Sequence, residues 1–341
     1  MAKAENGKPQ KTSVEEVGKM NLIERLLSQT GTDIPESVRD TESGDYLWIN
    51  SHKLLLEGLD FDLIYTPLKH LGYKAILSLF GPIYAKNHTP CSVSVNLGLS
   101  KKYFAEDIEE LWSGMVAALE EHKVKSVHLN LLPSLTGLTI SLSSVGKQKR
   151  ELFVQTPKPI SGDLICITGN LGAAYMGLQL LEREKALFIG NPNVQPNLEN
   201  YTFILKSYLN PYIDTSAIES LNQNSILPSD GVFISDGLAD AVKRVCKKNN
   251  LGAKVFLDKI PIASQTFKMA EELNIDAITA ALNGGDDFQF LYTIPLSKYE
   301  SVQKEIPQLD IIGHLCSADY GTLLITPDGA ELQLKAQGWS E

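Results

Sequence analysis

The sequence predicts an α/β protein of two domains, in each of which a mixed sheet is flanked by helices. Its 341 residues are too many for one small core and suit two domains of ordinary size. Patterns typical of strands and of helices alternate along the chain. In the middle, residues 156–163 contain two prolines and a glycine and predict a linker. We therefore expect a flexible arm at 1–20, an N-terminal domain at 21–150 and a C-terminal domain at 151–341.

The N-terminal part contains patterns of several short elements. Apolar residues three and four apart predict helices, and apolar residues in alternation predict strands. The predicted helices cover 21–30, 67–80 and 105–123. The predicted strands cover 46–49, 53–56, 92–97, 126–132 and 138–145, and a turn joins the last two. The segment 31–43 is polar and rich in turn residues.

After the linker, strand and helix patterns alternate again. Strands are predicted at 164–168, 231–234, 255–257, 289–293 and 323–325. Helices are predicted at 172–183 and 238–249, with one or two more between them, and Gly252 is placed to end the second. Residues 191–200 are rich in Asn and Pro and predict a loop.

Charge and composition argue against several classes of function. The net charge of −10 opposes a nucleic-acid partner, because contact with phosphates needs a basic surface. No apolar run approaches the ~20 residues of a membrane-spanning helix. The four cysteines are far apart, which indicates buried free thiols and a cytoplasmic protein, and the six scattered histidines give little support to a zinc site. An anionic substrate would need local cations, a bound metal or backbone N–H groups.

Two glycine-containing turns follow predicted strands and open predicted helices. In the first, Gly169 and Gly172 let the backbone approach a phosphate at the helix N-terminus, or they only permit a tight turn with Asn170 as cap. In the second, Ser235 or Asp236 caps the following helix, or Asp236 holds a divalent cation.

A third segment, 283–290, places two carboxylates after two glycines at the head of a predicted strand. Asp286 and Asp287 are adjacent, and like charges resist sharing a buried site unless a cation or a hydrogen-bonding substrate stabilises them. The pair indicates either a functional site or a surface turn.

Together, the order and spacing of these three segments resemble the C-terminal half of the thiamine-monophosphate kinases, which share the fold of aminoimidazole ribonucleotide synthetase. The resemblance runs from about residue 22 to residue 339. It is carried by T-G-x-x-G from 168, S-D-G-L from 235, G-G-D-D-F from 284, Asp-Lys-Ile-Pro-Ile at 258–262, Gly338-Trp339, and upstream Gly44-Asp45, 57–61 and 72–75.

The resemblance implies a kinase of thiamine biosynthesis that uses ATP and Mg2+ to convert thiamine monophosphate to thiamine pyrophosphate. It also implies a homodimer formed through the N-terminal sheets, with the site between the domains. The candidate residues are Asp236 for catalysis and metal, Asp45 for metal, Ser235, Gly169, Gly172 and Lys53 for nucleotide or phosphate, and Asp286, Asp287, Trp339 and Asp60 for the thiamine substrate.

Several positions where the family carries metal-binding acids hold other residues here. They are Tyr46, His52-Lys53, Leu79 to Pro82, Leu131 to Ser134 and Phe233, and the histidine expected before Phe61 is Asp60. Two accounts stay open: either Lys53, Lys158 and helix N-termini replace the charge of the metal, or the chain binds a phosphorylated small molecule or a protein without phosphoryl transfer. A different ATP-dependent reaction on the same scaffold is a third possibility. The simplest alternative for Lys53 itself is an ordinary surface lysine.

Overall fold

Two mixed sheets flanked by helices form the framework of the protein. The computed structural model describes Asn21 and residues 38–190 and 198–339. The predicted arm at 1–20, nearly all of the helix predicted at 21–30 and most of the loop predicted at 191–200 lie outside these residues. The predicted α/β class is confirmed by both sheets.

The first sheet has the strand order β1-β2-β5-β3-β4. Its strands are β1 Val38–Ser43, β2 Tyr46–Leu56, β3 Thr89–Leu99, β4 Ser126–Pro133 and β5 Thr139–Lys149. The helices of this half are α1 Leu68–Ala85, α2 Ala105–Glu121 and α3 Arg150–Gln155. Neighbouring strands are antiparallel except for β3 and β4, which are parallel. β4 is therefore an edge strand, and β3 lies between it and β5 although a turn joins β4 to β5 directly.

The second sheet has the strand order β12-β11-β8-β10-β6-β9-β7. Its strands are β6 Leu164–Thr168, β7 Asp230–Ile234, β8 Leu251–Phe256, β9 Gln289–Ile294, β10 Leu309–Ser317, β11 Thr322–Ile325 and β12 Glu331–Gln333. The helices of this half are α4 Ala173–Gly190, α5 Thr202–Leu209, α6 Ser216–Gln223, α7 Leu238–Asn249, α8 Ser264–Leu273, α9 Ala277–Asn283 and α10 Tyr299–Glu305. Only β8 and β11 pair in parallel.

The start of the first sheet differs from the prediction. The two short strands expected at 46–49 and 53–56 are one strand, β2, and the polar segment before it contributes β1. Leu47, Ile49 and Ser51 are buried, and the alternation continues to the partly buried Lys53. Serine and lysine on the inner face interrupt the apolar pattern, so the sequence alone divides the strand in two.

Helix α1 also extends beyond its predicted end at residue 80. It continues through Pro82 to Ala85, although proline cannot donate the backbone hydrogen bond of a helix interior. Ile83 is fully buried beyond the proline, and its burial favours the extra turn. The Gly-Pro pair therefore does not end this helix.

The C-terminal end of α7 is set by an asparagine. Asn250 has φ 52° in the left-handed region and caps the helix, whereas Gly252, predicted to end it, lies inside strand β8. Asparagine tolerates the left-handed conformation almost as well as glycine. A side chain at Gly252 would also meet the Gly321 carbonyl at 2.5 Å, so close backbone packing accounts for this glycine.

Helix α1 lies against both sheets and positions the site described below. Its contacts include β2 and β5 of the first sheet and β7 and β9 of the second. Ile76 and Phe80 of α1 belong to one buried cluster together with Val95 of β3 and Tyr292 of β9. Residues 37–334 accordingly form one compact unit. The first sheet ends at 149 and the second begins at 164, on either side of the predicted linker, and the division into two domains stays a prediction.

No helix in the described ranges is both long and apolar enough to cross a membrane.

Candidate functional site

The segments 235–237 and 284–286 lie directly against each other. The backbone N–H of Asp286 donates to the carbonyl of Ser235 at 2.8 Å. Gly285 has φ +76°, and a Cβ on it would lie 2.7 Å from the same carbonyl. Gly237 approaches the Leu282 carbonyl equally closely, so the glycines let two backbones meet without side chains between them.

The first glycine turn, which follows β6, lies next to the third segment, which leads into the neighbouring strand β9. The Thr168 hydroxyl donates to Gln289 Oε1 at 2.8 Å and accepts from the Phe290 backbone N–H at 2.9 Å. The backbone N–H of Gly172 donates to the carboxylate of Asp287 at 2.9 Å. All three segments recognised in the sequence therefore meet at the ends of adjacent strands.

Asp287 caps helix α4 from a different element. Its buried carboxylate accepts from the N–H groups of Gly172 and Ala174, so the N–H of Gly172, expected to meet a phosphate, has a protein partner instead. The predicted cap at Asn170 is likewise replaced. Burial raises the pKa of Asp287 to about 7, and the charge of Asp286 adds to the rise, while the two N–H groups oppose it.

The second segment does not cap its helix as predicted. The N-cap of α7 is Gly237, with φ 96° and no side-chain cap bond, because the close approach to Leu282 leaves no room for a side chain. The Ser235 hydroxyl instead donates to Asp236 Oδ2 at 2.8 Å. The Asp236 carboxylate is 48% exposed and lies 3.9 Å from the Arg244 guanidinium. Its predicted roles in catalysis and metal binding stay predictions.

A small pocket gathers three residues predicted for the site. Lys53 from β2, Asp60 from the following turn and Asp286 line it together with Lys74 of α1. Its volume is about 70 Å³. At ~10–15 Å³ for each water, it has room for roughly five water molecules. Hereafter it is called the lysine pocket.

Lys74 is one of the residues of this pocket that were not among the candidates from the sequence. Its ammonium group lies 2.8 Å from Asp286 Oδ2 and 3.9 Å from the centre of the Tyr208 ring. The side chain is only 15% exposed. Lys74 is the last charge before an uncharged run from 75 to 85 within α1, and this isolated charge on a buried helix is the signal that could have found it.

Lys53 is not an ordinary surface lysine. It shares the inner face of β2 with the buried residues Leu47, Ile49 and Ser51. Among the described residues it has no carboxylate partner within 4.0 Å. A lysine on the buried face of a strand is costly unless something polar meets it, so its position favours a role in the pocket.

Asp45 and Asp60 each take part in a contact close to their own turn. Asp45 is exposed in the β1–β2 turn, and its carbonyl accepts from the Arg150 backbone N–H at 3.0 Å. The Asp60 carboxylate accepts from the Leu56 backbone N–H at 2.7 Å, which fixes it within its own turn. Trp339 lies outside the compact unit 37–334, and its contact with a substrate stays a prediction.

The described residues do not fit a site for several magnesium ions. Within the described ranges, no three His, Cys, Asp or Glu side chains are grouped to hold a metal ion. Phe233, at a position where the family resemblance expects an acid, is 6% exposed. Its ring packs against Gly81, where a Cβ would lie 2.4 Å from the ring, and against Phe288 at 5.2 Å between ring centres. An apolar contact therefore occupies a position where the resemblance expects a metal-binding acid.

A second, larger cavity of about 520 Å³ lies on the other side of the acidic pair. Gly169, Asn170 and Asp287 line it, with Lys206 and Asp310 from other elements. The adjacent residues Asp286 and Asp287 thus face different cavities.

Comparison with known proteins finds similar sequences and folds. No family model matches the chain. The thiamine-monophosphate kinase of Buchnera aphidicola subsp. Schizaphis graminum is 27% identical over 281 residues, which is 80% of each chain. The solved structure of AaThiL complexed with AMPPCP and TMP matches with a TM-score of 0.79 and 21% identity, over 96% of this chain and 98% of that one.

The hydrogenase maturation protein HypE in complex with ATP matches with a TM-score of 0.62 and 14% identity, over 89% of this chain and 88% of that one. This likeness concerns the fold. The predicted resemblance is thereby confirmed: the chain is similar in sequence to thiamine-monophosphate kinases and has the aminoimidazole ribonucleotide synthetase-like fold seen in AaThiL and HypE.

Proposed function

We propose that the protein is a kinase of thiamine monophosphate, which transfers the terminal phosphoryl group of ATP to that substrate and forms thiamine pyrophosphate. The observation that carries the proposal is the lysine pocket, where Lys53, Lys74 and Asp286 meet beside the three converging segments. The names of the sequence relatives and the AMPPCP and TMP bound by AaThiL support this choice of substrates.

The positive and negative side chains of the lysine pocket have different roles. Phosphoryl transfer depends mainly on positioning and on neutralising negative charge, and the ammonium groups of Lys53 and Lys74 supply fixed positive charge. The Asp286 carboxylate is 41% exposed and can accept a hydrogen bond from a donor on the thiamine ring. Tyr208 and Phe288 give the same pocket aromatic walls.

A second candidate function is binding of a phosphorylated small molecule without transfer. It is favoured by the contact between Phe233 and Gly81, which puts an apolar pair where the resemblance expects acids. The described residues contain no cluster of three acidic or other metal-binding side chains, and so offer few groups to recruit the ions that usually accompany a triphosphate.

One experiment separates these candidates. The protein is incubated with ATP, Mg2+ and thiamine monophosphate, and thiamine pyrophosphate and ADP are quantified by chromatography; calorimetric titration with each ligand runs in parallel. Formation of thiamine pyrophosphate supports the kinase. Binding of thiamine monophosphate without product supports the second candidate. Hydrolysis of ATP with no binding of thiamine monophosphate would reject both and point to another ATP-dependent reaction.

We further propose that the protein is a cytoplasmic homodimer assembled through the first sheet. Every residue of the edge strand β4 is exposed, including Val127, Leu129 and Leu131. An exposed apolar edge strand favours pairing with another chain. The four cysteines are free, which supports a reducing compartment.

A further inference from the structure

Three side chains that can donate hydrogen bonds line the lysine pocket. Lys53 comes from β2, Lys74 from α1, and Thr66 from the loop that precedes α1. Each is held by a different part of the first half of the chain. Together they surround a space of about 70 Å³.

Thr66 is the most informative of these residues. It is 6% exposed, and its hydroxyl is buried with no hydrogen-bond partner in the described parts of the chain. Its backbone N–H donates to the Asp62 carbonyl at 2.9 Å, so the residue is fixed in place while the hydroxyl is not used. A buried polar group without a partner is destabilising, and a ligand oxygen in the pocket would relieve that cost.

The two lysines differ in how they are paired. Lys74 is shared between the Asp286 carboxylate and the face of Tyr208. Lys53 has no carboxylate within 4.0 Å among the described residues. The other acid of the pocket, Asp60, accepts from its own turn at Leu56. The pocket therefore contains one ammonium group, that of Lys53, with no carboxylate at close range within the described ranges.

The size of the pocket selects the ligand group. A pocket with room for roughly five waters can hold a phosphate group but not a whole nucleoside. Ammonium and hydroxyl groups can donate hydrogen bonds to the phosphate oxygens. At the position of Lys53 the family resemblance expects a metal-binding acid, and near Phe233 the acidic positions are filled by apolar packing. Positive charge is thus built into the chain where an ion would otherwise be recruited.

We propose that Lys53, Lys74 and the Thr66 hydroxyl bind a phosphate group of the substrate directly, so that the phosphorylated substrate is held without a divalent cation. This inference rests on the proposed function and names the groups that hold its substrate. The phosphate belongs either to thiamine monophosphate or to the nucleotide. All three side chains can donate to a phosphate dianion: the two ammonium groups are donors only, and the threonine hydroxyl has one O–H to donate.

Calorimetric titration of the full chain tests this proposal. Thiamine monophosphate is titrated in EDTA and again in Mg2+, and we expect dissociation constants that agree within about twofold. ATP, inorganic phosphate and unphosphorylated thiamine are titrated in the same two buffers. We expect thiamine to bind at least about tenfold more weakly than its monophosphate, because it lacks the group that the lysines meet.

Three variants locate the site. Lys53→Met keeps the side-chain length and breaks no ion pair, and we expect it to weaken binding about 10- to 100-fold. Lys298→Met is the matched control on an exposed position of the second half, and it should leave binding unchanged. Thr66→Val should weaken binding about tenfold with an unchanged or higher melting temperature, since the hydroxyl has no partner to lose.

Each outcome decides the proposal. Binding in Mg2+ but not in EDTA, or binding in EDTA that Lys53→Met leaves intact, would overturn it, as would no binding of any phosphorylated ligand. If thiamine pyrophosphate forms but Lys53→Met changes nothing, the kinase stands and this inference fails. If ATP or inorganic phosphate binds in EDTA through Lys53 while thiamine monophosphate does not, the inference stands and the proposed substrate is wrong.

Discussion

The substitution Asp287→Asn tests whether the buried carboxylate at the start of α4 is a helix cap with a displaced pKa. In the folded protein its pKa is raised from 3.8 to about 7, chiefly by burial. The folded state therefore keeps a proton over a pH range in which the unfolded chain has lost it. Stability from this group is complete below the unfolded pKa and is lost as the pH rises towards 7.

The magnitude follows from the size of the shift. Each pKa unit corresponds to about 1.4 kcal/mol. Between about pH 5 and about pH 8, the Asp287 carboxyl should lower the free energy of unfolding by about 2–3 kcal/mol. An asparagine carries no titratable proton, and its side-chain oxygen can still accept from the N–H of Gly172.

Urea denaturation of both proteins across this pH range provides the measurement. The difference between wild type and Asp287→Asn should favour the variant increasingly as the pH rises, and it should level off above about pH 8. Asp319→Asn, at an exposed position, is the matched control and should show no such trend. A difference that stays flat with pH would refute the reasoning, since a buried carboxyl with a raised pKa must release its proton on unfolding.

Three further predictions concern stability and assembly. Burial alone would raise the pKa of Asp230, yet Lys86, at 2.7 Å, and a second lysine hold that pKa well below its usual range. Asp230→Asn should therefore lower the free energy of unfolding by about 3 kcal/mol near neutral pH in urea denaturation. The loss should be smaller as the pH falls into the acid range. Gly81→Ala should cost about 1–3 kcal/mol in the same assay because its Cβ meets the Phe233 ring, and adding Phe233→Leu should recover much of that loss. Leu131→Lys on β4 should shift the mass in light scattering from dimer towards monomer; an unchanged mass would contradict assembly through this edge.

Strong local patterns allowed much of the fold to be predicted. The strand Leu164–Thr168 and the helix Leu238–Asn249 have the predicted bounds, since each shows one uninterrupted pattern with clear ends. The bounds of two predicted elements were wrong. A polar residue on the inner face divided β2 at Lys53, and packing overrode the helix breaker Pro82 in α1. The polar strand β1 was missed because it has no apolar alternation of its own. Its pairing with β2 defines it.

The candidate site was predictable only in part. The order and spacing of the three glycine-containing segments indicated the family resemblance, and the structure shows that their glycines lie where backbones approach closely. The sequence could not show that Asp286 and Asp287 face different cavities, or that the Asp287 carboxylate takes the helix N-terminus. Both depend on contacts between segments more than a hundred residues apart.

Lys74 and Thr66 were missed for a related reason. Thr66 stands in no quoted segment, and Lys74 stands in the segment 72–75 without any local sign of its role. Each depends on neighbours in other elements: Lys74 contacts Asp286 and Tyr208, and the Thr66 hydroxyl has no hydrogen-bond partner among the described residues. A buried hydroxyl without a hydrogen-bond partner can be recognised only from the three-dimensional structure.

A crystal structure with thiamine monophosphate bound in the presence of EDTA tests the central claim most directly. The account predicts that phosphate oxygens lie within hydrogen-bond distance of Lys53 Nζ, Lys74 Nζ and Thr66 Oγ1, with no ion between them. A phosphate bound away from these three atoms, or one that enters the site only when Mg2+ bridges it to protein carboxylates, would contradict the account.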